Sequence, residues 1–90
     1  MYSIKTSNEV DKVLKKWKKS NPIIFKKYRK LYHELMDHPK TGLGHPEPLI
    51  GGNSIRWSRH ISAHDRLIYD IIEDKVEILI IQVEEHYNDK

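Results

Sequence analysis

Cysteine is absent from the chain. That removes disulfides, thiolate nucleophiles and zinc–thiolate sites together, and it suits a reducing cytosol, the expected location. No apolar run approaches the length of a membrane span, and the first residues carry no signal-peptide pattern, so neither membrane insertion nor secretion is expected. Histidine, a common metal ligand, occurs six times, at 33, 38, 45, 60, 64 and 86. No HExxH-type spacing occurs, and His60 and His64 fall at a strand end and turn, so no metal or other cofactor is expected. Internal repeats, linkers and low-complexity segments are also lacking. Ninety residues make one domain, 1–90, with a thin core, since a chain this small buries only roughly 60% of its unfolded surface.

Glycine and proline are scarce, four of each, and two of each fall in one stretch, Gly42-Leu43-Gly44-His45-Pro46-Glu47-Pro48-Leu49. Proline fixes its own φ and favours an extended residue before it. Both His45 and Glu47 precede a proline, so the stretch reads as a rigid, extended run that immobilises one carboxylate. A stiff loop with a merely solvated glutamate is the structural alternative.

Charge is modest in sum, +3, but uneven. Residues 1–40 hold eleven Lys/Arg against four Asp/Glu, net +7, whereas residues 41–90 hold five against nine, net −4. A basic half suits an anionic partner such as RNA; a lysine-rich solvated helix face needs none.

Tyr2 to Lys5 alternates and reads as an opening strand. Thr6 and Glu9 fit a capping box. Val10, Val13, Leu14 and Trp17 then form one apolar helical stripe, with lysines around the rest of the circumference. Asn21-Pro22 ends that helix and caps a second, running to about Asp37, whose buried stripe is Ile24, Tyr28, Leu31 and Leu35. The two form a helical hairpin in which Trp17 and the tyrosines serve as core. Leu49-Ile50 and Ser54 to Ile61 read as strands joined around Gly51-Gly52-Asn53. Arg66 to Ile72 and Val76 to Val83 are two more, with Leu67, Tyr69, Ile71, Leu79, Ile81 and Val83 expected to face the helices. A three-residue loop, Glu73-Asp74-Lys75, then pairs Arg66 near Gln82 and leaves Arg66 roughly 13 Å from His86 on one sheet face.

Glu47, Arg59, Arg66, His86 and Tyr87 together suit cleavage of an RNA backbone by its own 2′-hydroxyl. A carboxylate can take the 2′-OH proton, a guanidinium fork matches phosphate oxygens, and a histidine can protonate the departing 5′-oxygen. Glu84 and Glu85 would favour the imidazolium form of His86. Read singly, the arginines also fit ordinary surface strand positions, and His86-Tyr87 a frayed terminus.

Gly44-His45-Pro46-Glu47-Pro48-Leu49, Trp57-Ser58-Arg59, Arg66-Leu67-Ile68-Tyr69 and His86-Tyr87, in this order, resemble the YoeB/Txe-type toxins of the RelE/ParE superfamily, from bacterial toxin–antitoxin modules. The resemblance implies an α+β fold: an N-terminal strand and a helical hairpin packed on one face of a small antiparallel sheet. It implies a ribosome-dependent, metal-independent endoribonuclease that cuts mRNA in the A site of the 70S ribosome and so inhibits translation. Its partners would be a cognate antitoxin and often a second toxin copy. By position, Glu47 resembles the general base, Arg66 the phosphate-stabilising arginine and His86 the general acid, with Tyr87 beside it. Arg59 resembles an RNA contact, with His60 next to it where the family usually has a second arginine. Lys12, Lys16, Lys19, Lys26, Lys27 and Lys30 would face ribosomal RNA. Glu84 stands where a basic residue is common, Ile50 where a lysine is, and the chain continues past His86-Tyr87. The alternatives are a gyrase-directed toxin of the same fold, a non-catalytic RNA- or protein-binding module, and a metal-dependent hydrolase.

Overall fold

The computed structural model describes residues 1–49 and 56–85. Its elements are β1 (Ser3–Thr6), α1 (Asn8–Ser20), α2 (Pro22–Leu35), β2 (Glu47–Pro48), β3 (Arg56–His60), β4 (Arg66–Ile72), a 3-10 turn (Glu73–Lys75) and β5 (Glu77–Glu84). The strands form one sheet in the order β1-β5-β4-β3-β2. From β2 to β5 every pairing is antiparallel; β1 joins the far edge parallel to β5, making the sheet mixed. The expected α+β architecture, a helical hairpin on one sheet face, is what forms.

Each helix starts where a side chain can take up orphan backbone donors. Ser7, rather than Thr6, caps α1: its Oγ accepts from the Val10 N–H at 3.2 Å. Thr6 is still paired in β1, opposite Ile80, so the first residue past the ladder takes the cap. The Thr6 hydroxyl instead donates to Asp11 Oδ1 at 2.5 Å. Asn21 serves both helices. Its N–H donates to the Trp17 carbonyl, closing α1, and its Oδ1 accepts from the Ile24 N–H, opening α2 ahead of Pro22. Such caps are each worth about 1 kcal/mol. The α2 stripe is buried throughout, at Ile24, Tyr28, Leu31 and Leu35, and packs with Val10 and Trp17 of α1 against Leu67, Tyr69, Ile71, Ile78 and Ile80 of the sheet.

The register of β4 with β5 departs from the simple alternation. Val76 belongs to the turn, with a left-handed φ of 51°, so the loop has four residues and Ile72 pairs with Glu77. A second extra residue enters further on: Tyr69 pairs with Ile80 but Ile68 with Gln82, leaving Ile81 bulged. Between these two insertions the parity of β5 is reversed. Ile78 and Ile80, and not Leu79 and Ile81, therefore face the helices. Beyond the bulge the parity returns, and Val83 packs toward the core opposite Leu67 as expected. The combined shift of two pairs Arg66 with Glu84 instead of Gln82.

The strand expected at Leu49-Ile50 begins earlier. Glu47 pairs with Ser58 and Pro48 with Trp57, and the Leu49 N–H still donates to the Arg56 carbonyl at 2.9 Å. The turn expected around Gly51-Gly52-Asn53 lies outside the described residues.

Candidate active site

Three residues with positive φ turn the chain from the end of α2 back onto the sheet: Gly42 at φ 103°, Gly44 at 80° and His45 at 50°. His45 is therefore not extended, although a proline follows it. The loop closes on β3 through the His60 N–H, which donates to the Gly44 carbonyl at 2.7 Å. The approach is so close that a Cβ on Gly44 would sit 2.4 Å from the His60 carbonyl oxygen. Histidine is among the residues that tolerate this region better than most, and its φ lets Pro46 lead straight into β2. Glu47 is extended there, as the proline pattern anticipates.

Arg59 fixes the rest of this loop. Its side chain is fully buried. Nε donates to the Tyr69 hydroxyl at 3.2 Å, and Nη1 to Glu34 Oε1 at 2.9 Å and the Leu43 carbonyl at 3.2 Å. Nη2 donates to the Thr41 carbonyl at 2.7 Å and to the His38 carbonyl. Tyr69 in turn donates to the Pro39 carbonyl at 2.7 Å, and Glu34 Oε1 also accepts from the Leu43 N–H at 2.6 Å. Burial raises the Tyr69 hydroxyl pKa, which keeps it a donor. The expectation that Arg59 contacts RNA is corrected here: it has no surface to offer. Its alternation along β3 points it at α2, where it holds the carbonyls of the segment leading to Glu47. Glu34 is the partner that sequence reasoning missed. An acid adjoining Leu35 and three residues past Leu31, at the edge of a buried stripe, was the available signal.

On the opposite face of the sheet lie Glu47, His60 and Arg66. Glu47, Ser58, Ile68 and Gln82 form one cross-strand row, and His60, Arg66 and Glu84 the next row of the same face. Strand spacings put the Cα atoms of Glu47 and Arg66 about 12 Å apart, a gap that a glutamate and an arginine can share with one phosphate between them. Ile68 is only 4% exposed but is not part of the helix-side core, so this face has a buried floor of its own, together with Ser58 at 3%. Arg66 is itself engaged: its Nε donates to Glu84 Oε2 at 2.8 Å. On the same face Arg56 makes a two-pronged pair with Asp70, at 2.8 and 3.1 Å.

His86 and Tyr87 lie outside the described residues. The residue just before them is tied down. Glu85 accepts from the Trp17 indole N–H at 3.0 Å and from Lys16 Nζ at 2.9 Å, fastening the end of β5 to α1. The Lys16 ammonium holds the Glu85 carboxyl below the usual carboxylate range, with the Trp17 N–H assisting and burial opposing. The two acids preceding His86 are therefore already matched, Glu84 by Arg66 and Glu85 by Lys16.

Lys12, Lys16 and Lys19 on α1 and Lys26, Lys27 and Lys30 on α2 are all exposed. Lys27 and Lys30 border a cleft of about 310 Å³ with Leu31, Leu43, Gly44 and His60. This cleft includes neither Glu47 nor Arg66, but it abuts the loop that carries Glu47.

A helical hairpin on one face of a five-stranded sheet is the fold of solved RelE- and YoeB-type toxins. Residues 7–87 match the model for the YoeB-like toxin of bacterial type II toxin-antitoxin systems, and the chain belongs to that family. Toxin YoeB of Streptomyces coelicolor is 35% identical over 71 residues, 79% of this chain and 82% of that protein. The YoeB/ParE toxin from Agrobacterium tumefaciens superimposes with a TM-score of 0.84 at 27% identity, covering 94% of this chain and 99% of the other. The toxin of the YoeB-YefM complex from Staphylococcus aureus superimposes at 0.80 and 25% identity over 97% and 99%, and YoeB of that organism has also been solved as a dimer.

Proposed function

We propose that this toxin is an endoribonuclease that cuts mRNA in the ribosomal A site without a metal, and so stops translation. Glu47 takes the proton of the 2′-hydroxyl. The 2′-oxygen attacks the adjacent phosphorus, and the bond from phosphorus to the 5′-oxygen breaks. His86 gives that oxygen a proton, with Tyr87 beside it, leaving a 2′,3′-cyclic phosphate and a 5′-hydroxyl. Arg66 holds the phosphate oxygens as their charge grows, and His60, its cross-strand partner, adds a contact to the RNA backbone. A positioned acid or base typically contributes about 10²–10⁴-fold. The exposed lysines of the two helices meet ribosomal RNA.

The observation that carries this reading is the register that sets Glu47 and Arg66 on one face of the sheet, about 12 Å apart. Membership in the toxin family supports it. Likeness to a toxin solved with YefM supports a cognate antitoxin as regulator, and likeness to the S. aureus dimer supports self-association. A disordered acidic antitoxin segment folding onto the basic helices fits their charge.

The test is primer extension on mRNA programmed on 70S ribosomes in Mg²⁺ buffer, with toxin stripped in EDTA and desalted beforehand, as wild type and the Glu47→Ala, Arg66→Ala and His86→Ala variants. The reading requires wild type to cut at the A-site codon. Each variant should be slower by about 10² or more while still binding ribosomes. A wild type that binds ribosomes or an antitoxin without cutting would overturn the chemistry, as would activity lost on stripping the toxin and restored only by an added transition metal.

A further inference from the structure

We propose that Glu84 is a built-in competitor for the scissile phosphate, one that sets how tightly this toxin holds RNA. The inference rests on the reading of Arg66 as the phosphate-binding group. In the free protein a carboxylate stands where that phosphate must go: Glu84 Oε2 lies 2.8 Å from Arg66 Nε. A carboxylate and a phosphodiester each present two oxygens to a guanidinium, so the two anions are alternatives at that nitrogen. Both side chains are mostly screened from water, Arg66 at 18% and Glu84 at 28% exposure, so the contact is stronger than an open surface pair.

The competitor is delivered by the fold. Arg66 and Glu84 are direct cross-strand partners, and they are so because Ile81 is bulged out of β5. Were Ile81 paired in the ladder instead of bulged, the residue opposite Arg66 would be Val83, an apolar side chain. Without both insertions it would be Gln82, a neutral amide. The backbone carrying Glu84 cannot withdraw, since it is paired to β4 on one side of the residue and Glu85 is fastened to Lys16 and Trp17 on the other. A change of side-chain rotamer at Glu84 is what parts this ion pair. Phosphate entry therefore breaks one ion pair and leaves a carboxylate close to the incoming RNA. Binding at Arg66 is weaker than the same site would give with a neutral residue at 84.

Glu84→Gln keeps the shape and an acceptor for Arg66 while removing the charge. In ribosome-programmed cleavage its kcat/KM should rise about tenfold, the equivalent of one charge-assisted contact no longer opposed, mainly through a lower KM. Independently of turnover, the Arg66 Nε–H resonance can be followed by ¹⁵N NMR as inorganic phosphate is added. The resonance of Glu84→Gln should move along a saturable curve, and at the phosphate level that saturates the variant the wild type should have moved far less. Equal phosphate responses in the two proteins would overturn the proposal. So would a fall in kcat for Glu84→Gln with KM unchanged, which would make Glu84 a residue that positions Arg66. If neither protein cuts RNA but the phosphate responses differ as stated, the nuclease reading fails and the competition at Arg66 stands.

Discussion

Arg59 shows how much one side chain organises here. It is fully buried, and five acceptors surround its guanidinium: the Glu34 carboxylate, the Tyr69 hydroxyl and the carbonyls of His38, Thr41 and Leu43. Removing one partner of a buried ion pair typically costs about 3–5 kcal/mol, because the other charge is left unmatched. Arg59→Ala should therefore lower the thermal midpoint by more than about 10 °C, given about 4–8 °C per kcal/mol for a domain this size. Arg59→Lys should restore little, since an ammonium cannot serve a planar set of acceptors. A lysine variant that melts like wild type would remove this account. The tripeptide Trp57-Ser58-Arg59 was legible as a motif, but the role of its arginine was not. Alternation along β3 gives the face, yet no local pattern shows that three carbonyls from a segment some twenty residues earlier converge on that point. Glu47 was the more readable residue, because the prolines that hold it extended are its sequence neighbours.

Among the elements, α1, α2 and β4 were legible nearly to the residue, because each advertises a clean period and a local cap or break. The pairing of β4 with β5 was not. Its two one-residue insertions, at Val76 and Ile81, reverse the facing of Leu79 and Ile81, and either could be avoided without changing the apolar content of the strand. Alternation fixes a register only where nothing is inserted. The turn offers a direct check. Val76 holds a φ of 51° with a β-branched side chain that is 47% exposed, so it carries backbone strain and contributes little packing. Val76→Gly should stabilise the protein by about 1 kcal/mol, read as a higher urea midpoint at an unchanged slope. A lower midpoint would mean that the side chain packs more than its exposure suggests. The other end of β5 is set by Glu85. Its carboxyl is held below the usual range in the folded state, so its stabilising effect is complete above the unfolded value of 4.5 and is lost as pH falls through the folded value. The difference in thermal midpoint between wild type and Glu85→Gln should accordingly be constant near neutrality and shrink as pH drops below about 4.5. A difference that persists unchanged in acid would show that the clamp is steric and not ionic.

At the scale of the whole molecule, the charge asymmetry acquires a direction. The net +7 of residues 1–40 sits largely on the exposed surfaces of the two helices, whereas Glu47, Arg66 and Glu84 lie on the far face of the sheet. On the proposed reading this separates two tasks. The helices supply sequence-independent attraction to a polyanion, and the open face carries out the reaction. Lysine contacts to phosphate release counterions, so each should appear in the salt dependence of binding with a slope of about 0.7–0.9. Replacing Lys26, Lys27 and Lys30 together by Gln should weaken ribosome binding and flatten its logarithmic salt slope by about 2–3. The half-saturating toxin concentration for cleavage should rise while the single-turnover rate at saturation holds, because Arg66 and Glu47 are untouched. Lys16 is a poor choice for the same test, since it also holds Glu85 and its loss would disturb β5. A fall in the saturated rate would tie the helices to the chemistry itself. An unchanged salt slope would mean that the ribosome meets another surface, and that these lysines serve an acidic protein partner instead.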